Sequence, residues 1–284
     1  MSLAGDIETV LSSGVRLAAP LAFAACGEYL AERAGTLNIS VEAMMLGAAF
    51  GAVAVAGLTG SGIAGLLAGV LIGALIGLVH GVLAHGLAVN TFVVGLVLNA
   101  LVLGLTSYLI ATAAPLSRPP ERWPLYSLLA IVPLTWWLVG RSRWGLELRA
   151  AGENPQAAAM TGIRVNLRRR QALLWCGALS GLGGAYLAVG EVGSFNQNMT
   201  AGRGYLVIAA VIFGGWRLAR TLVGCALFGL ADALRLALPA LGVTLNSQLL
   251  ISAPYLLALL AMLLFASRHN QPQALGRPFP RGGA

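Results

Sequence analysis

Residues 27–43, GEYLAERAGTLNISVEA, run from an apolar stretch into a polar break, and residues 184–204, GAYLAVGEVGSFNQNMTAGRG, do the same. Both open on G-x-Y-L-A. Gly27, Tyr29, Leu30 and Ala31 recur as Gly184, Tyr186, Leu187 and Ala188 at an offset of 157, and Gly35 and Asn38 meet Gly193 and Asn196 at 158. The breaks, Ala34 to Ala43 and Gly190 to Gly204, each lead into a further apolar run. Helix, polar interruption and second helix, written twice, predict two equivalent halves built around broken helices.

The rest of the chain reads as membrane. Of 284 residues, 58% are hydrophobic and 10% charged, with a mean hydropathy of +0.81, against roughly 25% charged in soluble domains. At about 20 apolar residues per crossing, the length holds about eight to ten helices and no sizeable extramembrane domain. Apolar runs bounded by Gly, Pro and charge place helices near 14–33, 41–58, 62–86, 91–113, 125–140, 171–190, 205–216, 220–240 and 247–267. The expected fold class is therefore an all-α polytopic membrane protein with about nine transmembrane helices. It forms a single membrane domain over 1–284: a repeat half at 14–113, a fifth span and connecting loop at 125–170, a second half at 171–267 and a tail at 268–284. Five spans separate the repeated helices, so the halves have inverted topology, a plan that sets transport sites at broken helices near the bilayer midplane. Gly65, Gly69, Gly73, Gly77 and Gly81 make a small-residue stripe along the third span that invites close approach of another helix.

The charge map sets orientation. Residues 141–170 hold Arg141, Arg143, Arg149, Arg164, Arg168, Arg169 and Arg170 against Glu147 and Glu153, and the tail holds Arg268, Arg277 and Arg281 with no acid. These stretches carry the whole formal charge of +8, and the positive-inside rule makes both cytoplasmic. The N-terminus, with Asp6 and Glu8, then lies outside, and Pro115, Pro119, Pro120 and Pro124 mark an external loop. The opening residues lack the positive start and cleavage site of a signal peptide. No basic folded domain exists to bind nucleic acid.

Several chemistries are excluded. All 18 basic residues are Arg, so the chain supplies neither a Walker A lysine nor a Schiff-base lysine, and any ATP hydrolysis belongs to another subunit. Cys26, Cys176 and Cys225 have no C-x-x-C spacing, and His80 and His85 do not share a helix face, so no metal site and no cofactor is expected. Asp6 and Asp232 are the only aspartates, which leaves no intramembrane aspartyl dyad, and no serine–histidine pair in the order usual for an intramembrane protease is present.

Polar side chains in the spans remain as candidates, since each costs on the order of 1–3 kcal/mol in hydrocarbon unless it faces protein or water. Asn38, Glu42, Asn99, Asn196 and Asn198 are the candidate solute-pathway residues. Their amides both donate and accept, which suits a neutral polyhydroxylated or heterocyclic solute. The same asparagines could instead cap the broken helices, or do both. Asp232 and Arg235, at i and i+3, are expected to form an internal ion pair.

The stretch RWGLELRAAGENPQAAAMTGIRVNLRRRQ (143–171) is too long for a plain connection. Asn154 and Pro155 open a short helix with a small face at Ala157, Ala158 and Ala159, a docking element for a cytoplasmic partner. Its run A-G-E-N-P-x-A-A-x-x-x-G-I resembles the coupling segment of permease subunits of ATP-binding-cassette importers, in the branched-chain amino acid and ribose permease superfamily. Residues 32–45, ERAGTLNISVEAMM, are similar to the E-R-x-G-x-x-N-I-G-x-E-G-M-M signature of its simple-sugar and nucleoside members. Residues 95–108, 198–205, 209–216 and 274–279 resemble further motifs of that type in the same order. Ser40 and Ala43 depart from the pattern, which has Gly at both places.

The resemblance implies a permease that is not itself an enzyme, in the bacterial plasma (inner) membrane. It implies a second homologous permease, a tandem-domain ATPase and an extracytoplasmic solute-binding protein, often a lipoprotein, as partners. Gly152, Glu153, Asn154, Pro155, Ala157, Ala158 and Gly162 are then the ATPase-coupling residues, and transport of nucleosides or simple sugars proceeds by alternating access. Two rivals are weighed against it. A proton-coupled secondary transporter would use Glu28, Glu32 or Glu191 but leaves the 141–170 loop without a role, and a purely structural protein leaves the polar breaks without one.

Overall fold

A computed structural model describes residues 3–112, 120–240, 252–253, 255–260 and 271–279. The expected ninth span at 247–267 falls mostly outside these residues, as do Pro115, Pro119, Arg268 and Arg281. The described chain is helical, with no strand element: α1 (Leu3–Arg33), α2 (Val41–Thr59), α3 (Gly62–His85), α4 (Thr91–Thr112), α5 (Leu128–Arg141), α6 (Arg143–Glu153), α7 (Pro155–Met160), α8 (Val165–Ala185), α9 (Arg203–Phe213) and α10 (Leu218–Ala240). Among the described residues, seven helices are long and apolar enough to cross a membrane, the fifth running from Trp123 through α5 and the sixth from Val165 through α8 and a π turn to Val192.

Two sequence expectations change here. The run at 205–216 yields α9, only 11 residues, which at about 1.5 Å per residue spans roughly half the ~30 Å hydrocarbon core. It stops because Gly214, Gly215 and Trp216 turn the chain, the last two with φ of 63° and 53°. The connecting loop is also more helical than expected: α6 precedes the short helix α7, and the first turns of α8 follow it.

Close packing follows from glycine. Along α1 and α8, Pro20 faces Gly183, Gly27 faces Cys176, and the Ala34 carbonyl faces Arg169. Equal seven-residue steps in opposite directions make the two repeated helices antiparallel. The other face of α8 meets the α3 stripe, with Gly69 opposite Gly181, Gly73 opposite Gly177 and Gly77 opposite Leu173. A methyl on Gly73 would lie 2.6 Å from the Gly181 Cα. This is backbone on backbone, the approach that only small residues permit. Around this core, α3 and α4 turn Leu67, Leu71, Leu75, Phe92, Val93, Val97 and Leu101 outward, as lipid-facing helices do.

The repeat is also visible in the turns. Gly35 and Gly193, matched in sequence, both take left-handed φ, 88° and 76°. Gly35 ends α1 with its N–H on Glu32 O (2.9 Å), while Thr36 N–H reaches Ala31 O (3.0 Å), the paired bonds of a glycine-terminated helix.

Candidate translocation and coupling sites

After Gly35 the chain turns back into the bundle, and Asn38 organises that turn. Its Oδ1 accepts from Ser40 N (3.1 Å) and Ser40 Oγ (2.7 Å), and its Nδ2 donates to Glu28 Oε2 (3.0 Å). Asn38, Glu28 and Ser40 are fully buried. The Ser40 hydroxyl also bonds His80 Nδ1 (2.7 Å), whose Nε2 pairs with Thr91 Oγ1 (2.8 Å), and Thr36 Oγ1 pairs with His85 Nε2 (2.7 Å). Both histidines thus pin the first break to α3. Ser40, which stands where the signature it resembles has Gly, supplies one of those pins. One turn further along the same face of α1, Glu32 Oε2 accepts from the Trp216 indole (2.5 Å).

The second break is organised by Glu42, in the first turn of α2. Its Oε1 accepts from Thr200 Oγ1 (2.6 Å) and Gly202 N (2.8 Å), and its Oε2 from Gly204 N (2.7 Å). A carboxylate here satisfies orphan donors at the start of α9 and complements the positive end of its dipole. Asn99 on α4 does the parallel service for α2: Oδ1 accepts from Ala43 N (2.9 Å), and Nδ2 donates to Ile39 O (2.9 Å) and to Tyr205 Oη (3.0 Å). The starts of α2 and α9 therefore meet, tied by Glu42 and Asn99.

Of the sequence-selected pathway residues, Asn38 is buried and Glu42 nearly so, Asn99 is half-buried, and Asn196 and Asn198 are exposed. Glu42 and Asn99 both tie the starts of α2 and α9; Asn38 is held within the first break. Sequence reasoning did not select Tyr205 and Tyr255, whose rings flank Gly202 and are about two-fifths exposed, nor Arg203. Asp232 pairs with Arg235 (3.3 Å) as expected and also with Arg203 (2.7 Å) across α9 and α10. The adjacent cavity, about 80 Å³, is lined by Thr200, Ala201, Arg203, Asp232, Arg235 and Tyr255 among others. These partners come from distant segments, and only the N-M-T-A-G-R-G-Y motif hinted at them.

At the opposite site, Asn154 Oδ1 accepts from Ala157 N (3.0 Å) and Pro155 takes the first turn of α7, the local chemistry read from sequence. Ala158 is buried against Ala151, Val165 and Phe279, and Gly152 against Arg33 and Gly35. Glu153, Asn154, Gln156, Ala157, Ala159, Met160 and Gly162 face outward, Met160 at 90% exposure.

Comparison with known proteins bears on this arrangement. A family described as the permease component of branched-chain amino acid transport systems matches residues 10–267. The chain belongs to this family. The permease is 31% identical to the nucleoside ABC transporter permease protein NupC of Lactococcus lactis subsp. cremoris over 97% of its length and 98% of the relative's. It is 29% identical to the guanosine ABC transporter permease protein NupQ of Bacillus subtilis over 99% of both chains. It is also 29% identical to the ribose import permease protein RbsC of Escherichia coli K12, over 87% of this permease and 76% of that protein. No solved structure matches it. The permease is thus a multi-pass membrane subunit of the ABC class, whose ATP hydrolysis resides in a separate subunit, and its alignment with two of these relatives runs nearly end to end.

Proposed function

We propose that this permease forms the translocation pathway of an ABC importer for nucleosides or simple sugars, working by alternating access. The observation that carries the reading is the meeting of the α2 and α9 starts through Glu42 and Asn99. Antiparallel α1 and α8 support an inverted repeat, with halves at 14–113 and 171–267, the expected ninth span completing the second. In such a repeat, broken helices that meet head to head lie at the point where a solute crosses. Asn99, Asn196 and Asn198 face the path, with Tyr205 and Tyr255 beside them; Asn38 and Glu42 hold the breaks. The nucleoside and ribose permeases among the relatives supply the solute class, and the ring faces and amides suit either ligand.

The full transporter in this reading adds a second homologous permease, a tandem-domain ATPase docked on α7, and an extracytoplasmic solute-binding protein, often a lipoprotein. The N-terminus lies outside and the tail in the cytoplasm. The proton-coupled alternative is not favoured, because family membership speaks for an ATP-driven assembly. The test is uptake of radiolabelled guanosine and ribose into proteoliposomes holding the permease, its ATPase and its binding protein. ATP-dependent uptake that survives collapse of the proton gradient supports the reading; uptake that follows the proton gradient without ATP refutes it.

A further inference from the structure

The tail motif A-L-G-R-P-F (274–279) has no place in the transport path, yet it is built into the protein. Ala274 N donates to Gly152 O (3.0 Å), Gly276 N to Gly35 O (3.0 Å), and Asn166 Nδ2 to Phe279 O (3.3 Å). The tail thereby pairs in turn with the end of α6, with the turn after α1 and with the start of α8. Phe279 packs into the cluster of Ala151, Ala158 and Val165 that seats α7.

Arg169 lies under this segment. It is fully buried, and its guanidinium donates to three carbonyls from three separate segments: Nε to Ala34 O (3.1 Å), Nη2 to Ala151 O (3.2 Å) and Nη1 to Arg277 O (2.7 Å). Two of these carbonyls belong to the C-terminal ends of α1 and α6, where helix dipoles favour a cation. A rigid fork of five donors is what such a junction requires; a lysine ammonium cannot span it. Gly35 has no side chain here because a methyl would lie 2.9 Å from Arg169 Nη2 and 3.1 Å from the Gly152 Cα.

We propose that residues 271–279 and Arg169 form a strap that makes α6, α7 and the first polar break one mechanical unit. Displacement of α7 by the ATPase is thereby delivered to Ala34–Asn38. Arg169 is a positioning residue in this device. The strap also walls a cavity of about 290 Å³ facing Glu153, Asn154, Pro155 and Gln156, so it borders the surface the ATPase meets. The proposal rests on the docking role of α7 given above.

The test uses the complete transporter in proteoliposomes. In Arg169→Met, the ATPase should still copurify and hydrolyse ATP, while solute carried per ATP falls at least tenfold; Arg169→Lys should recover only part of it. Uptake and hydrolysis falling together, in step with permease abundance, would show a merely structural role and overturn the proposal, as would an unchanged ratio. A second measurement stands even if Arg169→Met does not accumulate. Asn166→Cys with Phe279→Cys, neighbours through a 3.3 Å bond, is bridged by a cleavable bifunctional maleimide; the native cysteines are all buried. Parts that move together tolerate the bridge, so uptake should stay within twofold of the same protein before bridging. A tenfold loss restored on cleavage overturns the proposal. Failure of the docking role itself shows separately, as ATPase retained by variants of the outer face of α7.

Discussion

Glu42 Oε2 accepts a hydrogen bond from the backbone N–H of Gly204 at 2.7 Å, across 162 residues of chain. The start of α9 thus receives its cap from the other half of the molecule. A methyl on Gly204 would stand 2.5 Å from the Glu42 nitrogen, so the two residues define one contact.

Replacing Glu42 with Gln leaves one acceptor oxygen where two serve three donors, and removes the charge. The loss is about 2 kcal/mol for hydrogen bonds to a charged group. The detergent unfolding midpoint should fall by several degrees and uptake should be lost. Gly204→Ala should give the same pair of losses through steric conflict, read by the same thermal assay.

The asparagines should separate by burial. Asn38→Leu strands Glu28 and the Ser40 N–H in the interior at a cost of about 1–3 kcal/mol, so membrane abundance should drop. Asn99→Leu sits half-buried and should abolish uptake with much of the permease still present. Quantitative blotting beside uptake distinguishes the two. Equal abundance with normal uptake in both would deny either residue its role.

Packing of α3 on α8 admits a simple contrast. Gly73→Leu must push two backbones apart, whereas Gly104→Leu enters open space, since nothing lies within 4 Å of its Cβ position. The first variant should fail to accumulate in the membrane and the second should reach wild-type levels.

Docking on α7 should depend on its outer face. Met160→Asp and Ala157→Arg should each reduce ATPase copurification severalfold while leaving permease abundance unchanged. Ala158→Arg, placed in a buried seat, should lower abundance first.

Orientation is checked by labelling. A cysteine at Thr9 should react with an impermeant thiol reagent in intact cells, and one at Gln273 only after permeabilisation. Protection of both in intact cells would contradict the proposed topology.

Much of this was legible because it was local. Apolar runs placed most of the spans to within a few residues; Asn154 and Pro155 announced α7; and the repeated G-x-Y-L-A marked two helices that pack antiparallel. The five-glycine stripe foretold a close neighbour without naming α8. What escaped was non-local. Seven arginines in 141–170 served only to mark a cytoplasmic segment, yet Arg169 is buried because three carbonyl groups from Ala34, Ala151 and Arg277 converge on it. Arg203 joined Asp232 from 29 residues away. The half-length of α9 was hidden by an apolar stretch that continues past its last turn, although the Gly214-Gly215 pair carried the stop signal. Asn38 and Asn99 could not be told apart by residue type, since only burial distinguishes them.

The glycine seam of α8 against α3 determines where this protein can bend. Side-chain interfaces slide by exchanging rotamers, but a seam of main chain on main chain has none to exchange, so α3 and α8 travel as one stiff post. Compliance then concentrates at Gly193 and Gly202, the left-handed glycines that border the second break, since Gly35 is clamped by the tail. The motion expected of a transport cycle is accordingly a swing of α9 about these two pivots, with the post moving as one piece.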